Sequence, residues 1–426
     1  MNEHDQATKD VASQTIPVSP RPRVPASLFA GISSSTVIIG FVSLFSDISG
    51  EMIYPILPLF LTETLNAPAT VVGLVEGIAV GVGNAVGGFS GWISDRIGRR
   101  KPVAFFGYAL TAATRPVIAA AQVWGLVLAA RFAERFGKGI RNAPRDALLA
   151  ESTEARYRGR AFGFERAMDS LGAVLGPLVA LAVISWARLD ARRIFLIAAI
   201  PATIAALMIL TVRERREQVV SGTGKLSLSL AGTTREYKKL LLIMTVFSLA
   251  NSANSFLILR AQQLGLATGA SASAAISETI LAYALYNLVS TLTAYPAGVA
   301  SDRVGRRNLL IAGFVVYAAS YLGFALASAV WMVWPLFALY GLFPALTEGV
   351  AKAMAVDTAG RAGRATVIGI LSMVTGLTQV LASYVGGVLW DRVSAQATFY
   401  FGAALAALAA VMLLVMLPSR LQTHKD

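Results

Sequence analysis

Long apolar runs broken by short polar ones dominate this chain. Each run is about as long as a hydrocarbon span requires, roughly 20 residues. The pattern predicts spans near 34–61, 70–94, 102–122, 124–146, 160–185 and 191–212, then near 237–264, 273–300, 308–328, 331–356, 365–389 and 394–417. One long polar connector, 213–236, rich in Arg, Glu, Ser, Thr and Gly, separates the two sets. The expected architecture is an all-α integral membrane protein of twelve transmembrane helices in two six-helix bundles, 34–212 and 237–417. Polar tails at 1–33 and 418–426 flank them.

An internal repeat supports this division. Gly91-Trp-Ile-Ser-Asp95-Arg96-Ile-Gly98-Arg99-Arg100 recurs as Gly298-Val-Ala-Ser-Asp302-Arg303-Val-Gly305-Arg306-Arg307, about half a chain length later. Both copies follow the second span of their set, so a duplicated six-span unit with pseudo-symmetric halves is the economical explanation. Lys and Arg gather in the tails, the connector and the even-numbered loops. Only Arg188, Arg192, Arg193 and Arg392 fall on the other side. The positive-inside rule then predicts cytoplasmic termini and a cytoplasmic connector. Residues 1–33 are polar and Pro-rich, with no cleavable signal expected.

Composition changes the picture by exclusion. The 426 residues are 55% hydrophobic and only 14% charged, against roughly 25% charged in soluble chains. Cysteine is absent, and the two histidines, His4 and His424, lie in the polar tails. Thiolate and His-ligated metal chemistry in the membrane is thereby excluded, and no cofactor is expected. The net charge of +13 sits mainly in loops, where it orients a membrane protein, so nucleic acid is not an expected partner. Gly222-Thr-Gly224-Lys225-Leu226-Ser227 lacks the first glycine of a phosphate-binding loop and has Leu after Lys, which argues against an ATP-driven pump. No nucleophile or metal constellation suggests an enzyme.

The repeated G-x-x-x-D-R-x-G-R-R segment resembles the cytoplasmic loop signature of the major facilitator superfamily, and the likeness runs over about 34–417. Gly163, Gly172, Gly176 and Pro177 in span 5 have the spacing G-x8-G-x3-G-P, similar to the signature of that family's drug/proton antiporter branch. Ala180 stands where a final glycine is usual. Arg131-Phe-Ala-Glu134-Arg135-Phe-Gly137 in span 4 is similar to the family's R-x-x-Q-G-x-G pattern, with Glu134 in place of Gln and Arg135 in place of Gly. The resemblance implies alternating access, with Gly91, Asp95, Arg96, Gly98, Arg99, Gly298, Asp302, Arg303, Gly305 and Arg306 as gating loops. Their glycines allow the tight turn, and their charges can pair with one another and with helix ends. In span 5, glycines at four-residue spacing let a neighbouring helix approach closely, and Pro177 weakens one helical bond.

Ionisable side chains within spans are costly and usually mark a pathway or proton relay. Span 1 carries Asp47 and Glu51 one turn apart, with Tyr54 and Pro58 continuing that face. Spans 2, 3 and 5 carry Glu76, Arg115 and the group Glu165, Arg166 and Asp169. Span 4 carries Arg131, Glu134, Arg135, Lys138, Arg141 and Arg145 on one broad stripe. Carboxylates equal cations in this half, which predicts a paired network, and the span 4 cations are the expected partners of Asp47 and Glu51. The proton-coupling candidates are Asp47, Glu51, Glu134 and Asp169. The second half has few charges. Glu348 and Lys352 are expected to pair, and Asn251, Asn254, Tyr283, Tyr286, Asn287 and Gln379 offer neutral polar groups. Trp331, Trp334 and Trp390 read as interfacial anchors.

The expected function is secondary active transport by alternating access, most simply proton-coupled export of a small molecule from a multi-pass protein of the cell membrane, the inner membrane in a bacterium. Exchange or uptake of an anionic solute on Arg131, Arg135 and Lys138 is the alternative, and a lipid flippase or channel is the reading from another class. The expected partners are the solute, protons and membrane lipid, with a monomer as the default.

Overall fold

Five spans begin at a polar residue whose side chain accepts a backbone N–H of the first turn. Ser33 accepts from Thr36 N, Asp190 from Arg193 N, Thr234 from Tyr237 N, Ser271 from Ala274 N and Ser394 from Ala397 N. Such caps satisfy donors that the helix itself leaves unpaired. The computed structural model describes residues 33–97, 99–154, 157–187, 190–214, 232–359 and 364–417, the side chains of 88–97, 159, 187, 302, 364 and 365 excepted.

The first half comprises span 1 (Ser34–Ile53, continued by Leu57–Leu59 and a π-helical turn Phe60–Thr64), span 2 (Ala69–Ile97), span 3 (Arg100–Ala120), span 4 (Trp124–Glu151), span 5 (Arg158–Ala187) and span 6 (Ala191–Ile209). The second comprises span 7 (Arg235–Ala250 and Ser255–Ala267), span 8 (Ala272–Val304), span 9 (Arg306–Leu326), span 10 (Val333–Asp357), span 11 (Arg364–Arg392) and span 12 (Ala395–Met416). Twelve helical spans in two bundles are thus present, and large apolar side chains such as Trp186, Leu292 and Val415 face outward, as lipid contact requires. Most of the connector at 213–236, and both tails, lie outside the described residues.

Eleven of the spans are long and apolar enough to cross a membrane on composition alone. Span 4 is the exception, because its charged stripe lowers its apolar content. It packs chiefly against spans 2 and 3, and its stripe finds partners on spans 1, 2, 3 and 5, while Phe132 is exposed. Most of these charges are thus paired inside the bundle.

Spans 1 and 7 are both interrupted. Pro55 and Pro58 follow Ile53 in span 1, and neither can continue the helical hydrogen-bond ladder. In span 7 the helix stops at Ala250 and restarts at Ser255, with Asn251 and Asn254 at the two edges of the break. Broken helices at corresponding places in two halves line solute sites in transporters, because unwound backbone is tolerated only where it borders a cavity or protein.

The halves meet chiefly through span 2 on span 11 and span 5 on span 8. On span 2, Gly73, Gly77 and Gly81 lie against span 11 so closely that a Cβ on Gly77 would meet Ser383 Cβ and Val380 O at 3.1 Å. Asp391, at the end of span 11, accepts from Ala69 N (3.0 Å), Thr70 N (2.7 Å) and Thr70 Oγ1 (2.6 Å) at the start of span 2. A carboxylate at a helix N-terminus is favoured by the dipole as well as by these bonds. Gln262 Nε2 also donates to Glu63 at this end. At the opposite end, the side of loops 4–5, 8–9 and 10–11, a cavity of about 750 Å³ separates spans 5, 8 and 10. The halves are closed together at one end and parted at the other.

Candidate functional site

The ion pairs in the interior of the first half sort into three groups. The deepest is a closed network. Arg131 donates from Nη2 to Glu76 Oε1 (2.8 Å) and Oε2 (2.9 Å), and from Nη1 to Glu134 Oε2 (2.5 Å). Arg115 Nη2 lies 2.9 Å from Glu134 Oε1, and its Nε donates to Ser49 Oγ at 3.0 Å. All four charged residues are buried. Glu134, a proton-coupling candidate by sequence, is thus committed to two arginines, and Glu76 to one. The second group, nearer the end of span 4, joins Arg145 to Asp146 (2.8 Å) and Glu165 (2.9 Å).

The third group lies along span 1. Lys138 Nζ is 3.5 Å from Asp47 Oδ1, a pairing between spans 4 and 1 of the kind the sequence predicts. Asp169, on span 5, accepts from Arg166 Nη1 at 2.9 Å. Glu51 differs. Its Oε2 accepts from Tyr283 Oη at 3.0 Å, across the interface between halves. No cation lies within 4.0 Å of it among the described residues. Arg135, one of the span 4 cations expected to partner Asp47 and Glu51, has no carboxylate within 4.0 Å among the described residues either.

Span 5 brings this group together. Gly172 sits on span 1 where a Cβ would meet Leu44 O at 2.7 Å and Asp47 Cβ at 3.1 Å. At Gly176 it would meet Glu51 Cβ at 2.6 Å and Ile48 O at 2.9 Å. Those two glycines let span 5 reach the backbone that carries both carboxylates, whereas Gly163 meets nothing within 4 Å and lines the large cavity. Pro177 has no N–H for the carbonyl of Ala173 four residues earlier. Asn287 Nδ2, from the other half, donates to that carbonyl at 2.9 Å.

The facing wall is aromatic. Tyr54 stacks on Tyr283 (centroids 5.4 Å apart), Tyr283 on Tyr286 (5.5 Å) and Tyr286 on Tyr340 (5.4 Å). Tyr340 Oη donates to Asn254 Oδ1 at 2.8 Å, and Asn254 Nδ2 to Tyr286 Oη at 3.4 Å. Asn251 stands at the edge of the span 7 break, and Gln379 is half-buried on span 11; neither side chain makes a hydrogen bond among the described residues. Tyr340 was not legible in the sequence as a site residue. Its one signal is a place in span 10, opposite the Tyr283/Tyr286 pair.

One further expectation fails. Glu348 and Lys352 do not pair, because Glu348 lines the large cavity while Lys352 is exposed, with no ion pair within 4.0 Å between them. Trp390, near the end of span 11, is half-buried and packed on Phe256 and Phe399. Of the gating loops, Gly98 and the side chains of Gly91, Asp95, Arg96 and Asp302 lie outside the described residues, and Arg99 and Arg303 are exposed. Gly305 takes φ +91°, the turn between spans 8 and 9. Gly298 has open space at its Cβ position. Arg306 donates to Ala353 O at 2.9 Å and pairs with Asp357 at the end of span 10. In the first half Arg100, at the start of span 3, pairs with Glu151 at the end of span 4.

Residues 39–277 and 240–426 match the Major Facilitator Superfamily profile. The chain belongs to that family. An uncharacterized MFS-type transporter of Methanocaldococcus jannaschii is 34% identical over 386 residues, covering 90% of this chain and 95% of that protein. A shorter stretch of 129 residues, 30% of this chain and 32% of the relative, is 35% identical to the multidrug resistance protein MdtH of Photorhabdus laumondii. Among solved structures, the nucleoside transporter NupG superposes with a TM-score of 0.76 at 14% identity, covering 90% of this chain and all of that one. A D-xylose-proton symporter does so with 0.69 at 17%, covering 91% and 98%. These likenesses establish the fold. This major facilitator superfamily member is a transporter and not an enzyme.

Proposed function

We propose that this transporter couples solute movement to protons, with Glu51 as the proton-exchanging carboxylate. One observation carries the proposal: Glu51 lies between the halves, held by Tyr283 of the opposite bundle, with no cation within 4.0 Å among the described residues. The other carboxylates of this half that face the bundle interior have ion-pair partners that fix their charge. A carboxyl whose partners change when the halves rock exchanges a proton at each change, since a nearby cation favours the ionised form and burial disfavours it.

Alternating access is supported by the parting of the halves at one end and the Asp391 clamp at the other. Export is the direction favoured by the span 5 signature and by the partial likeness to MdtH. With the cation-rich loops inside, the parted end faces the cytoplasm, and both termini are cytoplasmic, in the cell membrane. Proteoliposomes with an imposed pH gradient, screened over aromatic anions, aromatic cations and sugars, test the proposal. Accumulation of one class that collapses with the gradient is expected. Solute movement indifferent to the gradient for every class would remove proton coupling.

A further inference from the structure

Four guanidinium groups of this half have buried N–H atoms with no partner among the described residues: Arg115 Nη1, Arg131 Nε, Arg135 Nε and Arg141 Nε. All four residues line one cavity of about 40 Å³ between spans 1, 3 and 4, together with Lys138, Asp47, Glu51 and Glu134. Orphaned buried donors are rare in native proteins, and four around one cavity are a property of that cavity.

Charge inventory sharpens the point. Arg131 is matched by Glu76, Arg115 by Glu134 and Lys138 by Asp47. Two cations are left. Arg141 is buried, stacks over the Tyr108 ring at 4.1 Å, and spends Nη1 and Nη2 on Thr111 Oγ1 (3.1 Å) and Ser46 Oγ (2.6 Å). Those hydroxyls satisfy hydrogen bonds but carry no charge. Arg135 has no carboxylate within 4.0 Å among the described residues. The one carboxylate left, Glu51, is turned to Tyr283. A buried cation without a counter-charge is strongly unfavourable, so a negative group from outside the chain is what this cavity lacks. Its volume is about three times the ~10–15 Å³ that admits one water, room for a carboxylate or phosphate head. Tyr54 lines the cavity and begins the tyrosine wall.

The geometry points to an oxyanion subsite of the transport site, in which Arg135 and Arg141 hold the carboxylate or phosphate of the cargo beside the Tyr54 ring. This rests on the reading of the chain as a proton-coupled transporter and gives that transporter its substrate class, a small organic anion.

The test uses the full chain purified in detergent, with thermal stabilisation titrated against benzoate, benzylamine and inorganic phosphate. Benzoate should stabilise the wild type saturably and benzylamine should not. Arg135→Gln should weaken benzoate about tenfold, the loss of one charge-assisted contact, and Arg135→Lys should recover part of it. Arg135 has no ion pair to lose, so these variants keep the fold. Failure of benzoate and phosphate to stabilise, equal binding of benzylamine, or unchanged affinity in Arg135→Gln each overturns the subsite. Phosphate that stabilises as well as benzoate and is not displaced by it overturns the cargo assignment, leaving a resident inorganic ion. In liposomes, a pH gradient that drives benzylamine and not benzoate overturns the subsite while proton coupling stands. Benzoate binding to Arg135 without gradient-driven movement leaves the subsite standing and overturns the coupling.

Discussion

At the scale of single residues, the buried charges divide into those with a fixed partner and those without. Glu76 faces Arg131 with both oxygens within 2.9 Å. Replacing it as Glu76→Gln leaves Arg131 buried beside a single remaining carboxylate, and breaking such a pair typically costs about 3–5 kcal/mol. A clear fall in melting temperature in detergent is expected. Glu51→Gln keeps a hydrogen-bond acceptor for Tyr283 and removes no ion pair, so its stability should change by less than about 1 kcal/mol. Equal melting temperatures for the two variants would contradict this division. This half holds as many cations as carboxylates, and spacing alone gives only the stripe on span 4. Which cation meets which carboxylate depends on the rotation of each helix, and so Lys138–Asp47 was foreseeable as a class while the bond from Tyr283 to Glu51 was not.

At the scale of elements, span 5 is the member that positions the site. A Cβ at Gly176 would meet Glu51 Cβ at 2.6 Å and Ile48 O at 2.9 Å, and the backbone contact cannot be relieved by a rotamer. Gly176→Ala should force spans 1 and 5 apart, with an overpacking cost of about 1–3 kcal/mol and loss of most transport. Gly163→Ala, which meets nothing within 4 Å, should transport normally in the same liposome assay. Similar losses in both variants would reduce the signature to helix propensity. The four-residue glycine spacing was readable as a packing face, but not which helix it packs on, nor that Gly163 sits outside the contact. The interruption of span 1 had its signal in Pro55 and Pro58. That of span 7 had a weaker one, two asparagines three residues apart, and a continuous apolar run reads as one helix until packing shows otherwise. Span 4 shows the converse: its charges would exclude it from lipid, yet its length and place between spans 3 and 5 identify it, since a charged face can be buried within protein.

At the scale of the whole molecule, the duplicated loop segment and the twelve apolar runs made the two-bundle fold legible before any coordinates. What they left out is how the halves meet. The clamp of Asp391 on the first residues of span 2 and the close approach of spans 2 and 11 join residues more than 300 positions apart, beyond the reach of any local pattern. The same holds for the tyrosine wall, drawn from spans 1, 8 and 10. Proton coupling runs through Glu51 only if it exchanges a proton as those halves rock. The direct measurement is accumulation of the solute found by the gradient screen, in liposomes holding wild type or Glu51→Gln, with counterflow exchange measured on the same preparations. Glu51→Gln should lose gradient-driven accumulation and keep counterflow, because binding and rocking survive while the proton has no carrier. Accumulation at the wild-type level by Glu51→Gln would contradict the account.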